Sequence, residues 1–531
     1  MANLRRFRRI CIATATALAA ACGGKDSGSG ADRTLILGYA SELQTLNPLV
    51  STDQNANELI NYLLFTPIIT FDSNFEPAPG LAESWEQTDT EVVFHLRADV
   101  NWHDGRPVTA EDVAFTFERA KDPALASPLA SAFLENVNSV EVLDTHTIRF
   151  TFSVVHAQAL EDFFWAPVPK HLLEDTAPEE MIRAEYNRSP VGSGPYRFVS
   201  WEVNRMLVFE ANEDFSPSLG GPPSFPRVVY RIIPDATTRA AELQSGGIDV
   251  DGPLGPASAR AIDADETTTL HRFPWRQFSY IGWNTKRPIL ANPAVRRALT
   301  MAIDRESILA SVLQGYGSVA SGIIPPWSPY SPGLTPLPYA PDSAAAILER
   351  EGWSDSDGDG VRDRNGVPLR FELLTNQRSP IYPDMAQIVQ AQLADIGVVA
   401  VPRMLEWQTV LAMHRARDFD AVLTNWVLDN FRVDPRILFH SKYATMPNSA
   451  NRSAYQSEVA DQLMDEGAGT TEAEPARRIW SDFARVIQAD QPLTFLFWQD
   501  ELAGVSADLE GVRMDARGEL VTITEWHRGS E

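Results

Sequence analysis

EVVFHLRADVNWHDGRPVTAEDVAFTFERA, residues 91–120, changes its period halfway along. EVVFHLR alternates apolar and polar residues, the mark of a strand with one buried face. Asp104-Gly105 is a turn pair. Thr109, followed three residues later by Asp112, is a capping-box variant opening a helix with Val113 and Phe117 on one face. A strand, a turn and a helix packed into thirty residues place this part of the chain in the α/β class.

Working outward, the same alternation of elements continues. TLILGYA from Thr34 reads as a buried strand, and NELINYLLFTPIITF (57–71) as a helix running into a strand. HTIRFTF (146–152) is a further strand, GPYRFVSWEVNRMLVFEAN (194–212) a hairpin, and FPRVVYRII (225–233) a strand. TTRAAELQSG (237–246) is a helix stopped by Gly246, before a short strand at Ile248-Asp249-Val250. NPAVRRALTMAIDRESILASVLQG (292–315) holds two helices, the first opened by Asn292 and Pro293 and the second capped by Asp304. After a Pro-rich loop at 325–341 come the helix DSAAAILEREGW, the strand LRFELLT, the amphipathic helix MAQIVQAQLADIG (385–397) and the buried strand FDAVLTNW (419–426). The expected class is α/β throughout, with sheets in separate lobes.

A chain of 531 residues exceeds one core and predicts about three or four domains. The net charge of −26 argues against nucleic acid, which needs clustered Lys and Arg, and against loose adsorption to anionic lipid. The only cysteines are Cys11 and Cys22. Arg5, Arg6, Arg8 and Arg9 precede a short apolar stretch, Ile10 to Ala21, too short for a permanent span. This is the pattern of a secretory signal over 1–21, suited to the general export route. Cys22 directly after small residues resembles a bacterial lipobox, although Leu18 lies one position further upstream than usual. Acylation at Cys22 would leave GGKDSGSGADR (23–33) as a flexible tether of some ~20 Å. The mature chain would then have neither a free thiol nor a disulfide.

No HExxH, GxSxG or GxxxxGK[ST] motif occurs, so no enzyme design of those kinds is expected. His95 and His103, on a strand and its following turn, read as structural. Glu111-Asp112 reads as charge placed at a helix N-terminus. DSDGDGVRD (355–363) matches the first half of a calcium loop through Asp355, Asp357, Asp359 and Asp363, with Gly360 at the sharp turn. Residue 366, where a bidentate carboxylate belongs, is Gly366. No cofactor is expected beyond a structural calcium at this loop.

Six segments in order resemble the family 5 extracellular solute-binding proteins, the oligopeptide-, dipeptide- and nickel-binding components of ATP-driven importers. They are GLAESWE (80–86), FHLRADVNWHDGRPVTAEDVAFTFERA (94–120), VGSGPYRFVSWE (191–202), AAELQSGGIDV (240–250), YIGWNTKRPILANPAVRRALTMAIDRESI (280–308) and FDAVLTNWVLDNFRVDP (419–435). The resemblance runs from about residue 34 to 526. It implies a bilobed α/β periplasmic-binding-protein fold of type II, with an extra inserted domain and the ligand cleft between the lobes. Lobe I would take 34–67, 191–267 and 496–531, the inserted domain 68–190, and lobe II 268–495.

The resemblance also implies a monomeric, lipid-anchored receptor at the periplasmic or cell-surface face, which captures short peptides for an ABC permease and its ATPase subunits. Its contact with the membrane would be through the anchor alone. In oligopeptide binders an aspartate three residues after a tryptophan takes the ligand's ammonium, which here is Asp429 after Trp426. Trp426 and Trp407 match pocket tryptophans. Arg415, Arg417 and Arg432 stay open as partners for a ligand carboxylate. The alternative cargo on the same fold is a nickel chelate, haem or an oligosaccharide. An enzyme or a chemoreceptor accessory on this scaffold is a third reading.

Overall fold

A computed structural model describes residues 34–377, 381–428 and 431–529. The signal, Cys22, the tether and Asp429 lie outside the described residues. None of the described helices is long and apolar enough to cross a membrane.

The main sheet has eleven strands and passes through both lobes. Its outer strands in lobe II are Val399–Leu405, Arg370–Asn376 and Ala421–Val427, parallel to one another. Next come the two longest strands, Thr268–Trp283 and Leu493–Ser506, antiparallel over most of their length. Beyond them, in lobe I, lie Val250–Asp251, Thr34–Tyr39 and Arg227–Ile232, again mutually parallel, and then the hairpin Met206–Ala211 with Tyr196–Glu202. The expectation of sheets in separate lobes is therefore corrected. Two long strands pair over most of their length in the middle of it, so one hydrogen-bond ladder runs through the whole sheet.

A four-stranded antiparallel sheet stands apart, formed by Ala82–Gln87, Glu91–Leu96, Thr147–Phe152 and Val137–Asp144 in spatial order. The helix Ala110–Lys121 packs on it through Val113 and Phe117, and its capping box forms, Asp112 Oδ2 accepting from Thr109 N at 2.9 Å. In lobe II, Asn292 and Asp304 cap the helices Pro293–Met301 and Arg305–Val312 by accepting from Ala294 N and Ser307 N. These short polar side chains satisfy backbone donors that the helix itself cannot.

The two shared strands change register where they pass between the lobes. Pro274 pairs with Asp500 and Phe278 with Trp498, so three residues face one on the partner strand. Pro274 has no N–H to give the ladder, and a bulge there re-aims the intervening side chains. Those side chains include Trp275 and Arg276. Leu428 N donates to Arg276 O at 2.8 Å, bringing the end of Ala421–Val427 to the same point.

Candidate ligand cleft

A second backbone fixture sets the opposite wall. Asp53 caps the helix Gln54–Leu59 by accepting from Ala56 N at 2.8 Å, and the helix continues through Ile60–Leu64 with wider π geometry. The turn ends on VGSGPY: Ser193 N and Gly194 N both donate to Leu64 O, at 2.9 and 2.8 Å. A Cβ on Gly192 would stand 1.8 Å from that same oxygen, so only glycine fits. His103 wedges beneath, its Nε2 donating to Gly194 O while Nδ1 accepts from Gly192 N. Burial pushes its pKa down to about 4, so the imidazole is neutral, and both of its ring nitrogens are engaged by backbone.

Between these fixtures lies a cavity of about 450 Å³, within the range of small-ligand sites. One wall is the polar face of the capped helix, with Asn57, Glu58 and Asn61. A second side has Leu129, Phe133 and Trp165, and a third Trp275, Arg276, Val427 and Leu428. Arg517 lines it from the C-terminal segment. The cavity is therefore built from segments far apart in the chain.

Its charge balance is unusual. Burial, then the nearby Glu519, pushes Glu58 up to about 8, with Arg276 pulling the other way. Burial also raises Glu519, to about 7, and raises Glu501 strongly, the latter helped by Glu519 and Glu58. Tyr39 donates to Glu519 Oε2 at 2.6 Å, and Leu520 N to Glu58 Oε2 at 3.2 Å. Alongside, Asp251 is held by Arg239 at 2.6 Å, both buried.

The lobes also meet beside the cavity. Phe431 stacks among Phe71, Phe75, Phe164 and Trp327. Arg432 reaches the fully buried Asp162, which also holds His156 at 2.7 Å, and Val433 N donates to Gln158 Oε1 at 2.8 Å. These contacts join the stretch after residue 430 to residues 156–162.

Against this geometry the comparisons are direct. The model of "Bacterial extracellular solute-binding proteins, family 5 Middle" matches residues 76–445. The oligopeptide-binding protein AppA of Bacillus subtilis is 30% identical, over 96% of each chain. The chain belongs to family 5 of the bacterial extracellular solute-binding proteins. The structure of that AppA in complex with a nonapeptide superposes with a TM-score of 0.74 at 29% identity, covering 94% of this chain and 99% of the other. NikZ from Campylobacter jejuni in complex with Ni(L-His) gives 0.75 at 26%, covering 94% and 100%. Heme-binding protein A of Haemophilus influenzae is 27% identical, over 91% of this chain and 92% of its own.

Within the family 5 fold, the residues singled out from sequence fall in different places. Trp426 pairs with Phe278 across the sheet and packs half-buried on an aromatic cluster. Trp407 opens the helix Trp407–Ala416 and is half-buried. Among the described residues, the cavity is lined by neither ring but by Trp165 and Trp275. Arg417 caps its helix in a left-handed conformation and donates to Tyr443 O and Asn451 O, and Arg432 is bound to Asp162. The guanidiniums that reach the cavity are Arg276 and Arg517. Sequence reading missed both, and missed Glu58, whose one signal was an acid set among the apolar residues of NELINYLL.

The acidic loop lies far from this cleft in character. Asp355, Asp357 and Asp359 each bring one carboxylate oxygen within 4.8 Å of the others, all exposed. Asp363 turns instead to Ser356, accepting from its N at 3.0 Å and its Oγ at 2.5 Å.

Proposed function

We propose that this family 5 chain captures short peptides in the interlobe cavity and hands them to the permease of an ABC importer. The carrying observation is a space of about 450 Å³ lined by segments far apart in the chain, in a chain related along 96% of its length to an oligopeptide-binding protein. An extended peptide offers the same backbone donors and acceptors whatever its sequence, and water in roomy pockets adapts to its side chains. Export through residues 1–21, acylation at Cys22 and the tether over 23–33 hold the receptor, as a monomer, at the membrane. No chemical step is assigned to it.

Asp429 follows Leu428, a residue of the cavity wall, and is the proposed anchor of the ligand's ammonium, with Trp426 and Trp407 as flanking aromatics. A carboxylate desolvated by closure is costly alone and is offset by a charged amine. Native mass spectrometry of the purified protein should show a ladder of short peptides. Asp429→Ala should lose that ladder, since removing one partner of a buried charge pair costs about 2–5 kcal/mol. An unchanged ladder in the variant removes the anchor assignment.

A second reading keeps the fold and changes the cargo. The relatives named for haem and for Ni(L-His) match at identities close to that of the peptide binder. A bound mass equal to a haem or a metal chelate, with no peptide ladder, selects that reading.

A further inference from the structure

Three carboxylates converge on the cleft from distant parts of the chain: Glu58 on the capped helix, Glu501 on the strand Leu493–Ser506, and Glu519 in the C-terminal segment. Glu58 is 9% exposed and lines the cavity, and Glu519 is 4% exposed. Among the described residues, the charged groups that act on them are few. Arg239 neutralises Asp251, and Arg517 neutralises Asp515 at 2.6 Å. Tyr39 and Tyr62 are neutral phenols at physiological pH, both held up by burial. Arg276 also acts on Glu58 and Glu501, so among the described residues three carboxyl groups face one further guanidinium. Polar groups on the same side also lack partners. Ser51, 5% exposed, lines the same cavity, and its Oγ has no hydrogen-bond partner among the described residues. Oε1 of Glu519 and Oδ2 of Asp251 have none either.

A buried carboxylate without a counter-charge either takes a proton or waits for a cation. A buried hydroxyl with no partner, in a residue of the cavity wall, can accept from a donor that reaches it. A lysine or arginine side chain answers both, because it brings charge and several N–H donors on an apolar stem.

We propose that the cleft selects peptides carrying a basic side chain, seated against Glu58 and Ser51, in addition to their terminal ammonium. This rests on the peptide reading above and narrows it to a substrate class. The raised pKa values of Glu58 and Glu519 describe the same site before the cation arrives: the acids hold protons at neutral pH and release them when the basic side chain enters.

The test is calorimetry on the purified protein with alanine-based peptides of four and nine residues. One lysine is placed at each position in turn, and each peptide is matched by its norleucine counterpart, which keeps the stem and removes the charge. At one position lysine should bind at least tenfold tighter than norleucine, and Glu58→Gln should reduce that preference to less than threefold. In the unaltered protein, heats measured at pH 7.5 in buffers of different ionisation enthalpy should report proton release with the lysine peptide and none with norleucine. The lysine affinity should also rise between pH 6 and pH 8. Equal affinities for lysine and norleucine at every position overturn this inference and leave peptide capture standing. Failure of every peptide in both series overturns peptide capture as well. Proton release that is the same for both series removes the role of the acid cluster even if Glu58→Gln does not fold.

Discussion

Two groups of acids in this chain make opposite impressions in sequence and in space. DSDGDGVRD sets Asp355, Asp357 and Asp359, exposed, and Asp363, half-buried, within nine residues before Arg370–Asn376. Glu58 and Glu519, buried, and Glu501, half-buried, stand far apart in sequence and act on one another beside the cleft. In the loop, water screens each charge and local N–H groups satisfy the oxygens: Asp355 accepts from Gly358 N and Gly360 N at 2.8 and 3.0 Å. In the cleft, burial raises the cost of every charge and strengthens every interaction between charges. What gives an acid functional weight here is its desolvation, and crowding in the sequence is a poor guide to that.

The sharpest way to stress the buried group is to remove the cation that neutralises part of it. Arg239 donates through Nε to Asp251 and through Nη1 to Ile233 O. Arg239→Met keeps the stem and leaves Asp251 buried and unpaired, for a loss of about 3–5 kcal/mol, read as a fall in the urea midpoint. An unchanged midpoint would mean that this buried region tolerates charge as readily as the exposed loop does.

The next test is stability against pH. Glu58 and Glu519, raised to about 8 and about 7, hold protons in the folded state that the unfolded chain gives up near its ordinary glutamate value of about 4.5. Folded protein therefore binds more protons across that window, and stability falls as pH rises through it. Going from pH 8 to pH 6 should gain up to about 4 kcal/mol, and Glu58→Gln should flatten the slope. The loop has the opposite sign and another window. Hydrogen bonds from Ser356 hold the Asp363 carboxyl below its ordinary value, so its contribution is lost only under acid conditions, below about pH 4. A profile between pH 6 and pH 8 that Glu58→Gln leaves unaltered breaks the contrast.

Much of the fold was open to reading because its signals are local. The change of period at 91–120, the Thr109–Asp112 cap and the Asp304 cap each act within a few residues, and the structure forms them all. The six family segments, in order along the chain, carried the bilobed class. The cleft was less legible because its contacts are not local. Tyr39 and Glu519 meet across 480 residues, and Leu520 and Glu58 across 462. Arg276 reaches the cavity because a register shift after Pro274 re-aims it, and nothing in FPWRQF announces which side chain will turn. The continuity of the main sheet was hidden for a similar reason, since two strands of 16 and 14 residues serve both lobes.

The smallest expected effect belongs to the most conspicuous motif. Three exposed carboxylate oxygens within 4.8 Å give calcium an incomplete shell. The fourth acid is engaged by Ser356, and position 366 has no side chain to close the ring. Such a loop belongs at the weak, millimolar end of calcium affinities. At a calcium concentration equal to its dissociation constant, linkage adds only about 0.4 kcal/mol, a melting shift of about 1 °C in a protein of this size. Asp357→Ala should abolish that shift without altering peptide binding. A rise of several degrees at 0.1 mM calcium would show that the loop gathers its oxygens around the ion far better than its hydrogen bonds suggest, and the two acid groups would then differ in ligand rather than in strength.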